Sequence, residues 1–302
     1  MTAPADPVAP AEAGVGTMKP PRSAAAEGRS ARRSVARGWG LMCLIAFVGI
    51  VLVALVGPFL APHPITEVLG APYSPPSGPA PLGTDYLGRD VLSRFLSGGR
   101  LLIAVSLGST LLAYVVAAPI GMLMGYVRGL PDRIAGGAVN VLLSIPPVVL
   151  ALLIVAGLGT SPLVAGLAVT IVLIAPIVRI VRGATAEIVT SEYIEAAVMR
   201  GETGARVIFH EVLPNIRPTL VADFGVRLAY TVILYASLNF LGLGQAPPAA
   251  DWGLMVSENR GGLLVMPWAV VVPALAIAGL TVAGTGVAEA VSRSLGRSQG
   301  NA

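Results

Sequence analysis

Charge is scarce in this chain. Of its 302 residues only 12% are Asp, Glu, Lys or Arg, and 55% are hydrophobic. A soluble globular domain carries about 25% charged residues. With a mean hydropathy of +0.79, the deficit excludes a soluble globular chain and marks a polytopic membrane protein. Reactive side chains are scarcer still. The one cysteine, Cys43, lies in an apolar run, so no disulfide or Cys-rich metal site can form within one chain. The two histidines, His63 and His210, lie far apart without neighbouring ligands at metal spacing. Lys19 is the only lysine, so a G-x-x-x-x-G-K-[ST] phosphate loop is absent and any nucleotide must be bound by another subunit. A membrane enzyme would need a nucleophile–base or metal constellation that this residue supply does not offer. The net charge is +4, but the arginines fall between hydrophobic runs without interleaved aromatics. That pattern speaks of membrane orientation and against nucleic acid.

What the chain does have is long apolar runs. Residues 1–38 are Ala, Pro, Gly and Ser with scattered Arg, and are expected to be a disordered cytoplasmic tail. Arg29, Arg32, Arg33 and Arg37 then precede a first span, Trp39–Leu60, which places the N-terminus inside. A cleavable signal peptide is the rival, but the stretch is long and no small-x-small site follows. An outer segment is expected over residues 61–100, Pro-rich over 61–81. The second span is expected over 101–126, with Gly121 and Gly125 at close-packing spacing. The third covers 134–156 and is broken by Pro146–Pro147, so it should be buried in the bundle. The fourth covers 163–180, the fifth runs from Pro218 to Phe240, and the sixth covers 267–288, with Trp268 as an interfacial anchor. The spacing predicts an all-α membrane domain over 39–302, six spans with both termini cytoplasmic, in contact with membrane lipid.

The most polar stretch between the outermost spans is 187–214. Ser191 is placed to cap a helix with Glu192 and Glu195 in its first turn, and Gly201 to end it in a left-handed turn. Thr203 is placed to cap a second helix that should stop before Pro214. Tyr193, Ala196, Ala197 and Arg200 share a shallow face; Ala205, Ile208, Phe209 and Val212 share an apolar one. Glu195-Ala196-Ala197, three residues, Gly201, nine residues, then Glu211-Val212-Leu213-Pro214 resembles the EAA loop of ABC-importer permeases. Glu211 stands where that family usually has an apolar residue. The resemblance implies that 187–214 is the cytoplasmic coupling loop, with Tyr193, Glu195, Ala196, Ala197, Gly201, Leu213 and Pro214 meeting an ATPase.

Two further stretches carry the resemblance. Leu82-Gly-Thr-Asp85, then Gly88-Arg89-Asp90-Val-Leu-Ser-Arg94, is similar to a signature of the C-type subunit of dipeptide and oligopeptide permeases. Ser237-Leu-Asn-Phe-Leu-Gly-Leu-Gly244, Pro247-Pro248 and Trp252-Gly-Leu-Met255 continue it, with Tyr235 where the family often has Glu and a C-terminal tail that departs from its pattern. The resemblance covers most of 82–290. It implies the type I (MetI-like) ABC-importer permease fold and a seat in the cytoplasmic membrane. It also implies a homologous B-type permease partner, two ATPase subunits that bind the ATP and magnesium, and an extracytoplasmic solute-binding protein. This chain would itself be non-catalytic and hold no cofactor. The implied cargo is di- or oligopeptides; nickel, glutathione or another small solute is the alternative, and a non-transporting structural subunit would not need the coupling loop.

Two charged sets stay open on the residues alone. Asp85, Arg89 and Asp90 either order the outer segment where a binding protein docks or stand solvated on an interfacial helix that Asp90 caps. Asp223 and Arg227, at i and i+4 in the fifth span, lie about 8 Å and 14 Å from its start at Pro218. They either snorkel to headgroups or face a cavity or the partner permease.

Overall fold

The computed structural model describes residues 22–127 and 129–299. The chain divides into two compact units, Met1–Gly38 and Trp39–Ala302. In the first, the described residues 22–38 are helical, where composition led us to expect disorder; the run is rich in Ala and Arg, both good helix formers. The rest of that expected tail, 1–21, lies outside the described residues.

The second unit is a bundle of long apolar helices. Helix α1 is assigned over Arg22–Leu60, with its apolar length at Gly38–Leu60. It is followed by α2 (Val91–Tyr126), α3 (Leu130–Ser144), α4 (Pro147–Leu158) and α5 (Pro162–Ile188). Then come α6 (Glu192–Met199), α7 (Gly204–Arg206), α8 (Leu213–Phe240), α9 (Trp252–Asn259) and α10 (Trp268–Gln299). Among the described residues five stretches are long and apolar enough to cross a membrane, and α3 with α4 makes a sixth if that pair, bent by 90°, counts as one span. Among the described residues no strand forms, only the isolated bridges Val68–Arg89 and Thr84–Asp90. The all-α, six-span architecture follows from the sequence as read.

Helix α5 is the core. Its Ala165, Ala168, Val169, Leu173, Ile177, Val178 and Val181 are fully buried. It runs parallel to α2, and the two approach closely because α2 supplies glycine at the contact. A Cβ on Gly121 would sit 2.7 Å from Val181 Cβ, and one on Gly125 would sit 2.6 Å from Thr185 Cβ. Ser109 Oγ donates to Gly166 O at 2.9 Å, and Thr110 Oγ1 to Thr231 Oγ1 on α8 at 3.0 Å. Each such interhelical bond contributes about 0.6 kcal/mol. Helices α8 and α10 pack as closely, with Gly225 against Ala288.

Three local expectations are corrected. Asp90 does not cap a separate short helix: it caps α2 itself, accepting from Leu92 N and Ser93 N. The amphipathic stretch and the second span are therefore one 36-residue helix, about 54 Å long. The broken third span is peripheral, with Ile134, Val141 and Leu153 each at least 65% exposed. Its break is served by cover on one side only, through α5 and α8. Finally, the helix begun at Thr203 does not stop before Pro214. A π-helical turn, Val207–Val212, carries it into α8. The widened turn accommodates a residue that lacks an N–H and whose ring would clash with the carbonyl four residues back. Helix α8 therefore begins at Leu213, ahead of Pro218, within an apolar helical stretch that runs Gly204–Phe240.

Candidate functional site

The parallel α2–α5 pair fixes two opposite ends. Gly125 beside Thr185 brings the end of α2 to the end of α5, next to α6; the start of α2, at Val91, lies at the far end. At the α6 end, the polar stretch builds a short helix and a reversal. Gly201 has φ +81°, the left-handed geometry a side chain resists. Thr203 Oγ1 accepts from Arg206 N, as its capping position requires. Ser191 occupies the N-cap position of α6, but its hydroxyl donates to Ile188 O and caps nothing.

The faces of α6 differ from expectation. Ala197 is 0% exposed and packs inward with Ile194, Val207, Ile208 and Val212. Ile194 decides this: it is the one large aliphatic in the first two turns, so its side turns to the core and takes Ala197, three residues on, with it. The outward side carries Tyr193, Glu195, Val198, Met199 and Arg200, with Ala196 half-buried; Met199 is 82% exposed. On the π turn the buried set is Val207, Ile208 and Val212, while Ala205 and Phe209 are exposed. Leu213 and Pro214 are half-buried at the start of α8. Arg182 holds Asp132 at 2.6 and 2.7 Å, tying the start of α3 to the end of α5.

At the far end, residues 82–94 form a buried ionic cluster. Asp85 Oδ1 accepts from Leu87 N and Arg89 N, both at 2.9 Å, and Oδ2 from Arg89 Nε at 2.8 Å. Gly88 makes the turn possible: its φ is +81°, and a Cβ there would lie 2.0 Å from Gly70 O. Arg94 Nη2 donates to Glu258 Oε2 at 2.8 Å, and the same guanidinium reaches the carbonyls of Ile65, Pro248 and Ala249. Arg94 Nε stands 3.3 Å from Asp85 and Arg89 Nη2 3.6 Å from Glu258, ion-pair distances without hydrogen-bond geometry. Two cations thus meet two carboxylates, and none of the four is solvated: Asp85, Arg89 and Arg94 are at most 3% exposed. The solvated-helix alternative for Asp85, Arg89 and Asp90 falls.

Glu258, Arg94 and Tyr86 were not singled out from the sequence as one site; Glu258 lies 164 positions from Arg94. Tyr86 donates from its hydroxyl to Glu258 at 3.0 Å and from its backbone to Asn259. Burial raises the Glu258 carboxyl, against the lowering by Arg94. Burial, then the Glu258 charge, raises the Tyr86 hydroxyl. Beside the cluster, Trp252 stacks on Phe95 at 5.5 Å and donates from Nε1 to Phe95 O, clamping α9 onto α2. Asp251 caps α9 through Oδ1, to Gly253 N and Leu254 N, while Oδ2 has no partner. Burial pushes this carboxyl up to about 7, against the lowering by those two amides.

Between the two ends, Arg227 Nε sits 3.2 Å from Asp223, and Tyr114 Oη donates to Asp223 Oδ2 at 2.6 Å. The pair is packed within the helix bundle, with side chains 20% and 13% exposed. Arg227 lines a cavity of about 260 Å³ at the α3–α4 break. A larger cavity of about 710 Å³ lies among α4, α8, α9 and α10, with Ser237 and Thr281 as its hydroxyls.

Comparison with known proteins places these features. Residues 117–297 match the family described as binding-protein-dependent transport system inner membrane component. The chain is 37% identical over 202 residues to a glutathione transport system permease protein of Pectobacterium atrosepticum, covering 67% of each. It is 31% identical to a dipeptide transport system permease protein of Haemophilus influenzae, over 80% of this chain and 85% of that one. It is 32% identical to a probable D,D-dipeptide transport system permease protein of Escherichia coli, over 84% and 87%. A methionine ABC transporter solved in inward-facing conformations shares the fold, with a TM-score of 0.51, 23% identity, and coverage of 63% of this chain and 93% of that one.

Proposed function

The chain belongs to the family of binding-protein-dependent transport system inner membrane components, and from that premise we propose that it is one half of the translocation channel of an ATP-driven peptide importer. In this reading a homologous B-type permease forms the other half. Two ATPase subunits bind ATP and magnesium, for which this chain has no phosphate loop, and an outer binding protein delivers the cargo. The chain makes and breaks no bonds.

The carrying observation is α6. A short helix stands at one end of the bundle, its reversal locked by Gly201, presenting Tyr193, Val198 and Met199 outward. Exposed apolar side chains of this kind suit docking into a groove of a soluble partner. Because Ile194 and Ala197 key into the core, a push on α6 is transmitted to the π turn and α8. Nucleotide-dependent closure of the ATPases would bias the bundle between two states through that lever.

The α6 end is then cytoplasmic and the Asp85–Glu258 end extracytoplasmic. Arg89 and Arg94 would contradict the positive-inside rule if they were free, but Asp85 and Glu258 neutralise them in place. That rigid platform of 61–94 with 251–259 is the surface offered to the binding protein. Peptidic cargo is favoured by the relatives named for dipeptide, D,D-dipeptide and glutathione transport, and glutathione keeps a place as a specific cargo on the 37% identity. The test is uptake of a radiolabelled dipeptide into proteoliposomes holding both permeases, the ATPases and the binding protein. ATP-dependent uptake that vanishes when this chain is omitted supports the reading, and uptake unchanged by its omission rejects it.

A further inference from the structure

We infer that the cavity at the α3–α4 break is a docking site for a carboxylate of the cargo, gripped by the outer edge of the Arg227 guanidinium. The inference rests on the peptide reading above and names a contact within it.

The cavity of about 260 Å³ is lined by Ile145, Pro147 and Leu150 at the break, Pro176 on α5, and Arg227 and Tyr230 on α8, with Arg227 the only charged lining residue among those described. A cation in an apolar bundle is costly and marks function by default. Here it is held in a lopsided way. Asp223 occupies Nε at 3.2 Å and is itself anchored by Tyr114 on α2, away from the cavity. No described residue accepts a hydrogen bond from Nη1 or Nη2. Those two nitrogens form the planar edge that matches a carboxylate with two parallel bonds, which a lysine could not make.

The break adds to the same field. Helix α4 starts at Pro147 without a side-chain cap, and the first helical bond there runs from Leu150 N to Pro146 O. The amides of Val148 and Val149 therefore lack intrahelical partners, at the positive end of the helix dipole. Pro147, the first residue of α4, lines the cavity, so this positive end lies at its wall. The volume falls below the usual range for a whole small-molecule site, about 300–1,000 Å³. It suits one end of a peptide and leaves the side chains to the larger apolar cavity among α4, α8, α9 and α10. A grip on the terminal carboxylate alone would be indifferent to sequence.

The experiment is dipeptide uptake in the reconstituted complex at saturating binding protein, for wild type, Arg227→Gln, Arg227→Lys and the neutral double variant Asp223→Asn/Arg227→Gln. A docking site predicts an uptake rate at least about ten-fold lower in Arg227→Gln, an intermediate rate in Arg227→Lys, and no recovery in the assembled double variant. A purely structural pair predicts that restoring neutrality recovers uptake to within about two-fold of wild type, which overturns the inference. Wild-type uptake in Arg227→Gln overturns it too, as does failure of both neutralised variants to assemble. A wild-type complex that imports no dipeptide rejects the peptide reading itself, a result distinct from all of these.

Discussion

Replacing Glu258 by glutamine probes the ionic platform most cleanly. The substitution keeps the shape of the side chain and leaves an oxygen for the Tyr86 hydroxyl, but it removes the anion that Arg94 contacts at 2.8 Å and Arg89 at 3.6 Å. Two cations then share Asp85. Because Arg94 is 0% exposed, water cannot replace the lost partner. Stranding a buried charge costs about 3–5 kcal/mol, far above the 0–1 kcal/mol of an exposed pair. For a bundle of this size that is a fall in thermal midpoint on the order of 10 °C. The assay is thermal unfolding of the detergent-purified complex, followed by loss of the monodisperse peak. The double variant Arg94→Met/Glu258→Gln leaves one neutral pair, Asp85–Arg89, and should be more stable than Glu258→Gln alone. A single variant within about 1 °C of wild type would refute the buried-cluster account, and so would strictly additive losses, since coupled neighbours do not add.

Other outcomes follow from the same geometry. At α6, Met199→Asp should leave accumulation normal and reduce substrate-stimulated ATP hydrolysis at least about ten-fold, whereas Ala197→Trp should fail to accumulate because that position is sealed; immunoblotting and a phosphate-release assay separate the two. Gly125→Val should force α2 from α5 at Thr185 and the Arg182 carbonyl, costing about 1–3 kcal/mol by overpacking, read as a lowered thermal midpoint. Asp251 gives a pH signature. Its folded value of about 7 lies above the ordinary 3.8, so the stability it contributes is full below pH 4 and is lost as pH rises through 7, by roughly 4 kcal/mol in all. Asp251→Asn keeps an oxygen for the α9 cap and should flatten the fall in thermal midpoint between pH 5 and pH 8; an unchanged slope counts against burial of a free carboxyl.

The spans were legible because apolar length is a one-dimensional property, and Gly121 and Gly125 announced by spacing that α2 packs closely, though not that α5 is what it packs on. The outer signature was legible as a pattern but not as a structure. Asp85, Arg89 and Arg94 lie within ten positions, yet the charge that completes them, Glu258, comes from the other side of the chain. Its only local sign is an acidic residue three positions after Trp252-Gly-Leu-Met255. Periodicity put Tyr193, Ala196, Ala197 and Arg200 on one face of α6, but the structure splits that set, with Ala197 buried and Tyr193 and Arg200 exposed. It could not say that the pull of Ile194 would turn Ala197 inward and leave Tyr193 and Met199 outside. Pro214 misled for a related reason: local stereochemistry disfavours a helix there, and the π turn that removes the conflict depends on Val207 and Val212 being held in the core. The peripheral third span was missed because a proline break argues for covered carbonyls without saying which subunit covers them.

The central claim, that α6 is the contact through which ATP hydrolysis reaches the bundle, is tested most directly by cross-linking. A cysteine placed at Met199 in a Cys43→Ser background, within the assembled complex, should join this chain to an ATPase subunit. A cysteine at Leu264, which is 99% exposed in the loop between α9 and α10, should not. The account predicts a cross-linked band from position 199 alone whose yield changes when ATP is added. A band from position 264 and none from 199 would contradict it.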